Sequence, residues 1–225
     1  MKIKWYGHAS FLVTGDNGRR IITDPYTPET SGYVPISDAP DIVIISSSND
    51  TFHCRADLIP GQPTIINALE LAQNGGQRTE QGIPIQAIAA MEALDHQFHD
   101  PDQNGMYRFT VDDISIGHLG DVGNPLSEDQ VRFFSGIDVL FALAGGHPTI
   151  NLDDLETVVQ RTQPKIVIPM HFRTLRYKPR NSFWIQSFLN YYNPGDVDFA
   201  CDSEITITKD TLPTKTRVMV LTHAC

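Results

Sequence analysis

Cysteine is scarce in this 225-residue chain: Cys54, Cys201 and Cys225 are odd in number and far apart. That excludes a disulfide framework and a CxxC zinc site, and points to a reducing cytoplasm. Long apolar runs are lacking too. No stretch reaches the roughly 18 apolar residues of a membrane-spanning helix, and Met1-Lys2-Ile3-Lys4-Trp5 enters strand-like alternation without the apolar core of a secretory signal. The expectation is a cytoplasmic protein with no membrane partner. Basic charge is also short: 17 Lys and Arg face 27 Asp and Glu, a net charge of −10, which argues against nucleic acid as a partner. The densest basic group, Arg173, Arg176, Lys178 and Arg180, reads as a solvated loop or, because it follows His171, as a contact for an acidic substrate.

What remains is the composition of an ordinary globular protein, 40% apolar and 20% charged, long enough to bury a substantial core. Residues 1–225 read as a single domain, since no long linker, repeat or low-complexity segment divides them. Strands are expected over Met1–Gly7, Phe11–Thr14 and Arg19–Thr23, the last two joined through Gly15-Asp16-Asn17-Gly18, where Asn and Gly tolerate positive φ. Residues 26–40, with Pro28, Gly32, Pro35 and Pro40, read as a loop passing over the surface. Further strands are expected over Asp41–Ile45, Thr64–Asn67, Ile83–Ala90, Val139–Leu143 and Lys165–Pro169, with a hairpin from Met106–Val111 to Ile114–Gly117. Glu204–Thr208 and Arg217–Thr222 close the series. Helices are expected over Leu69–Gln73, over Glu128–Phe134 behind Ser127 as N-cap, after Asn151 with Leu152, Leu155, Val158 and Val159 on one face, and over Ser182–Tyr192. Strands first and αβ units later argue for two stacked sheets with helices outside. The last helix carries Phe183, Trp184, Phe188, Tyr191 and Tyr192, which predicts core packing or a homo-oligomer contact.

Just past the apolar runs stand Gly7-His8-Ala9-Ser10, Thr23-Asp24-Pro25, Gly120-Asp121, Gly145-Gly146-His147 and Pro169-Met170-His171. Strand ends are where α/β enzymes place their chemistry. Imidazole and carboxylate are ligands of zinc, iron and manganese, which hydrolases use to activate water. Asp24, Asp121, His147 and His171 are placed to converge at one sheet edge. Taken singly, each is more often a turn former or a satisfied loop residue. Their combination and order point to a metal site.

In this order and spacing, with Trp5-Tyr6-Gly7-His8-Ala9-Ser10-Phe11 at the front and Val167-Ile168-Pro169-Met170-His171 at the back, the chain resembles the metallo-β-lactamase superfamily, in its ascorbate-6-phosphate-lactonase-like branch. The resemblance spans roughly residues 1 to 172. It implies an α/β fold, a four-layer αββα sandwich with metal at one edge between two sheets. It also implies that Asp121 is a bridging carboxylate and His171 the last histidine ligand. His8 and Asp24 match positions beside the metal cleft, and His147 a segment bordering it, so these three are the candidates for catalytic or substrate-facing roles.

One stretch departs from the pattern. The superfamily hallmark, His-x-His-x-Asp-His, belongs after the strand Asp41–Ile45, where this chain reads Ser46-Ser47-Ser48-Asn49-Asp50-Thr51-Phe52-His53. Read without a gap, the hallmark positions are Ser47, Asn49, Thr51 and Phe52. With one inserted residue they are Ser48, Asp50, Phe52 and His53, which keeps a carboxylate and a histidine but puts Phe52 where the water-activating Asp belongs. A later hallmark histidine is replaced by Glu92, with His96 and His99 close behind. His118 is expected to pack against the sheet and His223 to be exposed. The inserted register leaves Asp50, His53, Glu92, Asp121 and His171 as metal-site residues. That is enough for one divalent ion (zinc, manganese or iron) but not two, and so carboxylate-rich a set favours the harder ions. The expected function is a metal-dependent hydrolase acting on a small-molecule ester, lactone or phosphoester. The competing expectation is a relative without metal or catalysis that uses the cleft, or an oligomer surface, for binding.

Overall fold

The computed structural model describes residues 1–48, 50–93 and 103–225. His96 and His99 lie outside them. Among the described residues fourteen strands form two sheets. The first holds β1 (Lys2–Gly7), β2 (Ser10–Thr14), β3 (Arg20–Thr23), β4 (Ile42–Ile45), β5 (Thr64–Asn67) and β13 (Glu204–Thr206), in the order β13-β1-β2-β3-β4-β5. The second holds β6 (Gln77–Glu80), β7 (Ile83–Ala90), β8 (Asn104–Val111), β9 (Ile114–His118), β10 (Val139–Leu143), β11 (Ile166–Met170), β12 (Val197–Phe199) and β14 (Arg217–Val220), in the order β12-β14-β11-β10-β9-β8-β7-β6.

Side chains alternate across a strand, and the first sheet uses both faces. Ile3, Trp5, Phe11, Val13, Ile21, Ile42 and Ile44 enter the core shared with the second sheet. Their neighbours Tyr6, Leu12, Ile22, Val43 and Ile45 form a second apolar cluster on the opposite face. That outer face is roofed by Tyr26, Tyr33 and Ile36 from residues 26–40, together with Ala56, Ile59 and Tyr177. The segment expected to pass over the surface is therefore buried through its aromatic rings. Its only helix is α1 (Pro28–Ser31).

The second sheet is covered more conventionally. α3 (Glu128–Phe133) connects β9 to β10 and α4 (Leu152–Thr162) connects β10 to β11, each between parallel neighbours. Ser127 closes a capping box with Gln130, and Leu155, Val158 and Val159 of α4 are buried in the shared core. α2 (Ala68–Gln73) leaves the edge of the first sheet and packs on β7 and β8 of the second. The expected aromatic helix shortens to α5 (Ile185–Leu189): Phe188 is buried, while Phe183, Trp184 and Tyr191 are exposed. No helix among the described residues is long and apolar enough to cross a membrane.

Strand direction then fixes where chemistry can gather. β1 and β3 both run antiparallel to β2, and β4 runs parallel to β3. In the second sheet β7 and β9 both run antiparallel to β8, and β9, β10 and β11 are parallel. The C-terminal ends of β1, β3 and β4 thus share one rim, as do those of β7, β9, β10 and β11. Gly105 N–H donates to Ser46 O at 2.7 Å and His171 N–H to His8 O at 3.0 Å, closing the two rims onto each other.

Candidate metal centre

His8 occupies the tight turn from β1 to β2. Its φ of 51° is left-handed and that of Gly7 before it is 130°. A Cβ on Gly7 would lie 2.5 Å from the Tyr33 ring, so this turn requires glycine for both space and backbone freedom. The His8 carbonyl accepts from Trp5 Nε1 at 3.1 Å and from His171 N at 3.0 Å, tying the turn to the segment after β11. On the other side of His171 the fit is equally close: a Cβ on Gly145 would lie 2.3 Å from the His171 carbonyl. Asp121 is held through its backbone N–H, which donates to Asn104 Oδ1 at 2.9 Å. His53 is held by Asp50, whose Oδ2 meets its Nδ1 at 2.7 Å while Oδ1 accepts from the Phe52 and His53 backbone N–H groups at 2.7 and 2.8 Å.

These side chains line a cleft of about 130 Å³ together with Phe52, Glu92, Pro148, Tyr177, Pro179 and Asn181. His171 Nε2 lies 3.4 Å and His53 Nε2 3.8 Å from the same Asp121 Oδ1. The His8 ring centroid is 3.8 Å from that of His171 and 4.8 Å from that of His53. Ligand atoms of His8, His53 and His171 all lie within 4.8 Å of one another, and so do those of Asp50, His53 and Asp121. Both ring nitrogens of His8, Nε2 of His53, Nδ1 of His171 and Oδ1 of Asp121 are buried without a hydrogen-bond partner. Each such buried orphan costs about 1–3 kcal/mol. A divalent cation would satisfy several of them together, so this donor set fits a metal ion.

The charges are strongly coupled. Burial alone would lower the His53 imidazole, but the carboxylates of Asp121, Asp50 and Asp24 outweigh it and raise its pKa well above the ordinary value. For Asp50 burial opposes ionisation, and the charge and hydrogen bond of His53 prevail, taking the carboxyl down to about 2. Burial, reinforced by His171 and His53, keeps His8 well below the usual imidazole range.

Residues 2–171 match the family described as the beta-lactamase superfamily domain. The chain belongs to the metallo-β-lactamase superfamily. A metal-dependent hydrolase of Thermoplasma acidophilum is 25% identical over 198 residues, covering 77% of this chain and 84% of that one. A protein of Thermotoga maritima assigned to the Zn-dependent hydrolases of the superfamily superposes with a TM-score of 0.77 at 27% identity, covering 98% of this chain and 97% of that one. A metallo-β-lactamase-fold protein of Bacillus subtilis, 12% identical, shares the fold with a TM-score of 0.62 over 100% of this chain and 97% of that one.

Against the superfamily's pattern, the remaining candidates separate. Asp50, Phe52 and His53 all line the cleft, and Ser48 is exposed. Asp24 is fully buried beneath it, where it accepts from Ser46 N at 2.7 Å and Ser46 Oγ at 2.8 Å and so anchors the end of β4. Burial raises its carboxyl to about 7, against the pull of His53 and the Ser46 bonds. Glu92 is buried and lines the cleft, but falls outside both groups of converging ligand atoms. His147 is exposed, and its segment contributes Pro148 to the lining instead. His118 packs between the sheets as expected, with Nε2 3.0 Å from Ala9 O and Nδ1 accepting from Gly120 N at 3.0 Å. His223 is half-buried against Tyr33 rather than exposed. Tyr177 and Asn181 were not singled out from the sequence. Their only signal there is closeness to His171 within the basic run.

Proposed function

We propose that this protein is a metal-dependent hydrolase with one divalent ion held by His53, Asp121 and His171, acting on a small ester, lactone or phosphoester. The observation that carries this reading is the convergence of buried ring nitrogens and the Asp121 carboxylate that lack protein partners. A divalent ion held there supplies Lewis acidity for activating water and polarising the scissile group. The protein's own part is positioning. Asp50 fixes the His53 ring from behind, presenting Nε2 to the cleft, as carboxylates do behind metal-binding histidines. Tyr177 and Asn181 stand in the cleft wall as hydrogen-bonding groups for a substrate oxygen. Arg176 and Arg180, exposed in the same loop, supply charge suited to an acidic substrate.

Elemental analysis of protein purified without chelator or affinity tag tests the reading. About one ion per chain is expected, lost in an Asp121→Ala/His171→Ala control, with chelator-sensitive turnover on a panel of esters, lactones and phosphoesters. Metal-free protein with chelator-insensitive turnover would overturn it. A second reading is favoured by Phe52, whose ring lines the cleft and stands 5.3 Å from His8. An apolar ring there can accept no proton, which suits a cleft that binds a ligand without turning it over. Stoichiometric metal with tight ligand binding and no turnover across the panel would select this alternative.

A further inference from the structure

His8 is set apart by what it lacks. Among the described residues two histidines have 1% or less of their surface exposed, His8 and His118. His118 has a scaffold role: one ring nitrogen faces Ala9 O and the other accepts from Gly120 N, both at 3.0 Å. His8 has neither kind of bond, and both its ring nitrogens are buried without a partner. A histidine retained merely for packing would leave two desolvated polar atoms uncompensated, at about 1–3 kcal/mol each. The turn holding it is demanding as well, since His8 sits at positive φ behind a glycine that admits no side chain. Its backbone carbonyl is bonded to the N–H of His171, so the two rings are held as a pair with centroids 3.8 Å apart.

On the opposite wall, neither position left by the lost hallmark histidines offers an imidazole. Ser48 is exposed, and the Asp50 carboxylate is already committed to three hydrogen bonds with His53 and Phe52, which suits it to orienting His53. His8 approaches the same point from the first sheet.

We infer that His8 is itself a metal ligand, so that the site is rebuilt as His8, His53, His171 and Asp121, with Asp50 a positioning residue behind His53. This rests on the metal-binding reading above and deepens it. It also changes the expected ion: three imidazoles and one carboxylate suit borderline ions such as zinc and cobalt better than manganese, reversing the preference expected from a carboxylate-rich set.

The test uses cobalt(II) as a spectroscopic probe on the full chain. Wild-type protein titrated with cobalt should show hyperfine-shifted N–H proton resonances from three coordinated imidazoles. The His8→Asn variant, whose side chain tolerates positive φ, should show two, with cobalt and zinc affinity reduced by more than the roughly 10–100-fold that losing an outer partner of a ligand costs. Thermal melting of both proteins in chelator checks that the variant folds. Two imidazole resonances in the wild type would overturn the assignment of His8 even if the variant were unstable. So would unchanged affinity in a folded His8→Asn protein, and either result leaves the metal reading standing. Failure of the wild type to bind cobalt or zinc at all would remove both.

Discussion

Replacing Asp50 by Asn and by Ala separates two jobs that this residue combines. Its carboxylate takes three hydrogen bonds, from Phe52 N at 2.7 Å, His53 N at 2.8 Å and His53 Nδ1 at 2.7 Å. The first two fold the turn that carries His53 into the cleft. The third requires a proton on Nδ1 and therefore leaves Nε2 as the lone-pair nitrogen facing Asp121. Asp50→Ala strands three partly buried donors. At about 1–3 kcal/mol each, discounted for those that regain water, the loss is about 3 kcal/mol, or a fall in Tm of about 10 °C for a chain of this size. Asp50→Asn keeps an oxygen for the two backbone donors, so the turn survives at roughly 1 kcal/mol. Its amide nitrogen is now a donor aimed at Nδ1, however, and the imidazole must change tautomer, placing its proton on Nε2 where a metal lone pair is needed. Metal affinity should fall about 10–100-fold in the Asn variant although the fold is nearly intact. Urea denaturation of the metal-free proteins gives the first quantity and zinc titration against a competing chelator the second. An Asn variant that binds zinc as tightly as the wild type would refute the tautomer argument, and an Ala variant as stable as the Asn one would refute the turn argument.

The same pair sets the pH response of the metal-free protein. The depressed Asp50 carboxyl, about 2 against an ordinary 3.8, contributes about 2 kcal/mol that is present above pH 4 and lost as pH falls toward 2. The raised His53 contribution is complete below pH 6.5 and is lost as pH rises through its elevated folded pKa, so urea midpoints should be highest between those limits. Metal requires neutral imidazole, so zinc affinity should keep climbing with pH above 6.5 and binding at pH 7 should release a proton from His53; calorimetry in buffers of different ionisation enthalpy measures it, and pH-independent affinity from 6 to 8 would contradict the hold of the three carboxylates on the His53 proton. Phe52→Asp restores a proton acceptor in the cleft wall and should raise ester or phosphoester turnover about 100-fold in metal-loaded protein; an unchanged rate at full metal occupancy would show that proton abstraction is not what the chain lacks. Gly7→Ala, which drives a methyl into the Tyr33 ring at a φ of 130°, should cost more than about 3 kcal/mol by urea denaturation.

Much of the scaffold was legible in the residues. Thr64–Asn67, Ile83–Ala90 and Val139–Leu143 match their strands end to end, because a run of β-branched and aliphatic residues bounded by turn formers permits few other local structures. Ser127 announces its helix through the capping box. The elements that escaped, β6 and β12, are short edge strands whose side chains are mostly exposed or half-buried, so no apolar period marks them. Residues 26–40 misled for the converse reason: prolines and glycines describe the path of the backbone, while burial of Tyr26, Tyr33 and Ile36 depends on the outer face of the first sheet being apolar.

The site divides along the same line. Asp121 and His171 are marked locally, the first three residues past β9 and the second directly after β11, and strand order alone carries them to one rim. His53 was only half determined, since two registers of residues 46–53 were open, the one with an inserted residue preferred because it accounts for His53. A one-residue shift changes no composition and no local propensity, whereas which ring comes near Asp121 across the gap between the sheets is a tertiary matter. The division of labour between His8 and Asp50 was beyond sequence altogether. Both are polar residues past strands; Asp50 finds its partners two and three residues on, within its own turn, whereas the burial of the His8 ring nitrogens without a partner arises only once the two sheets have closed around them.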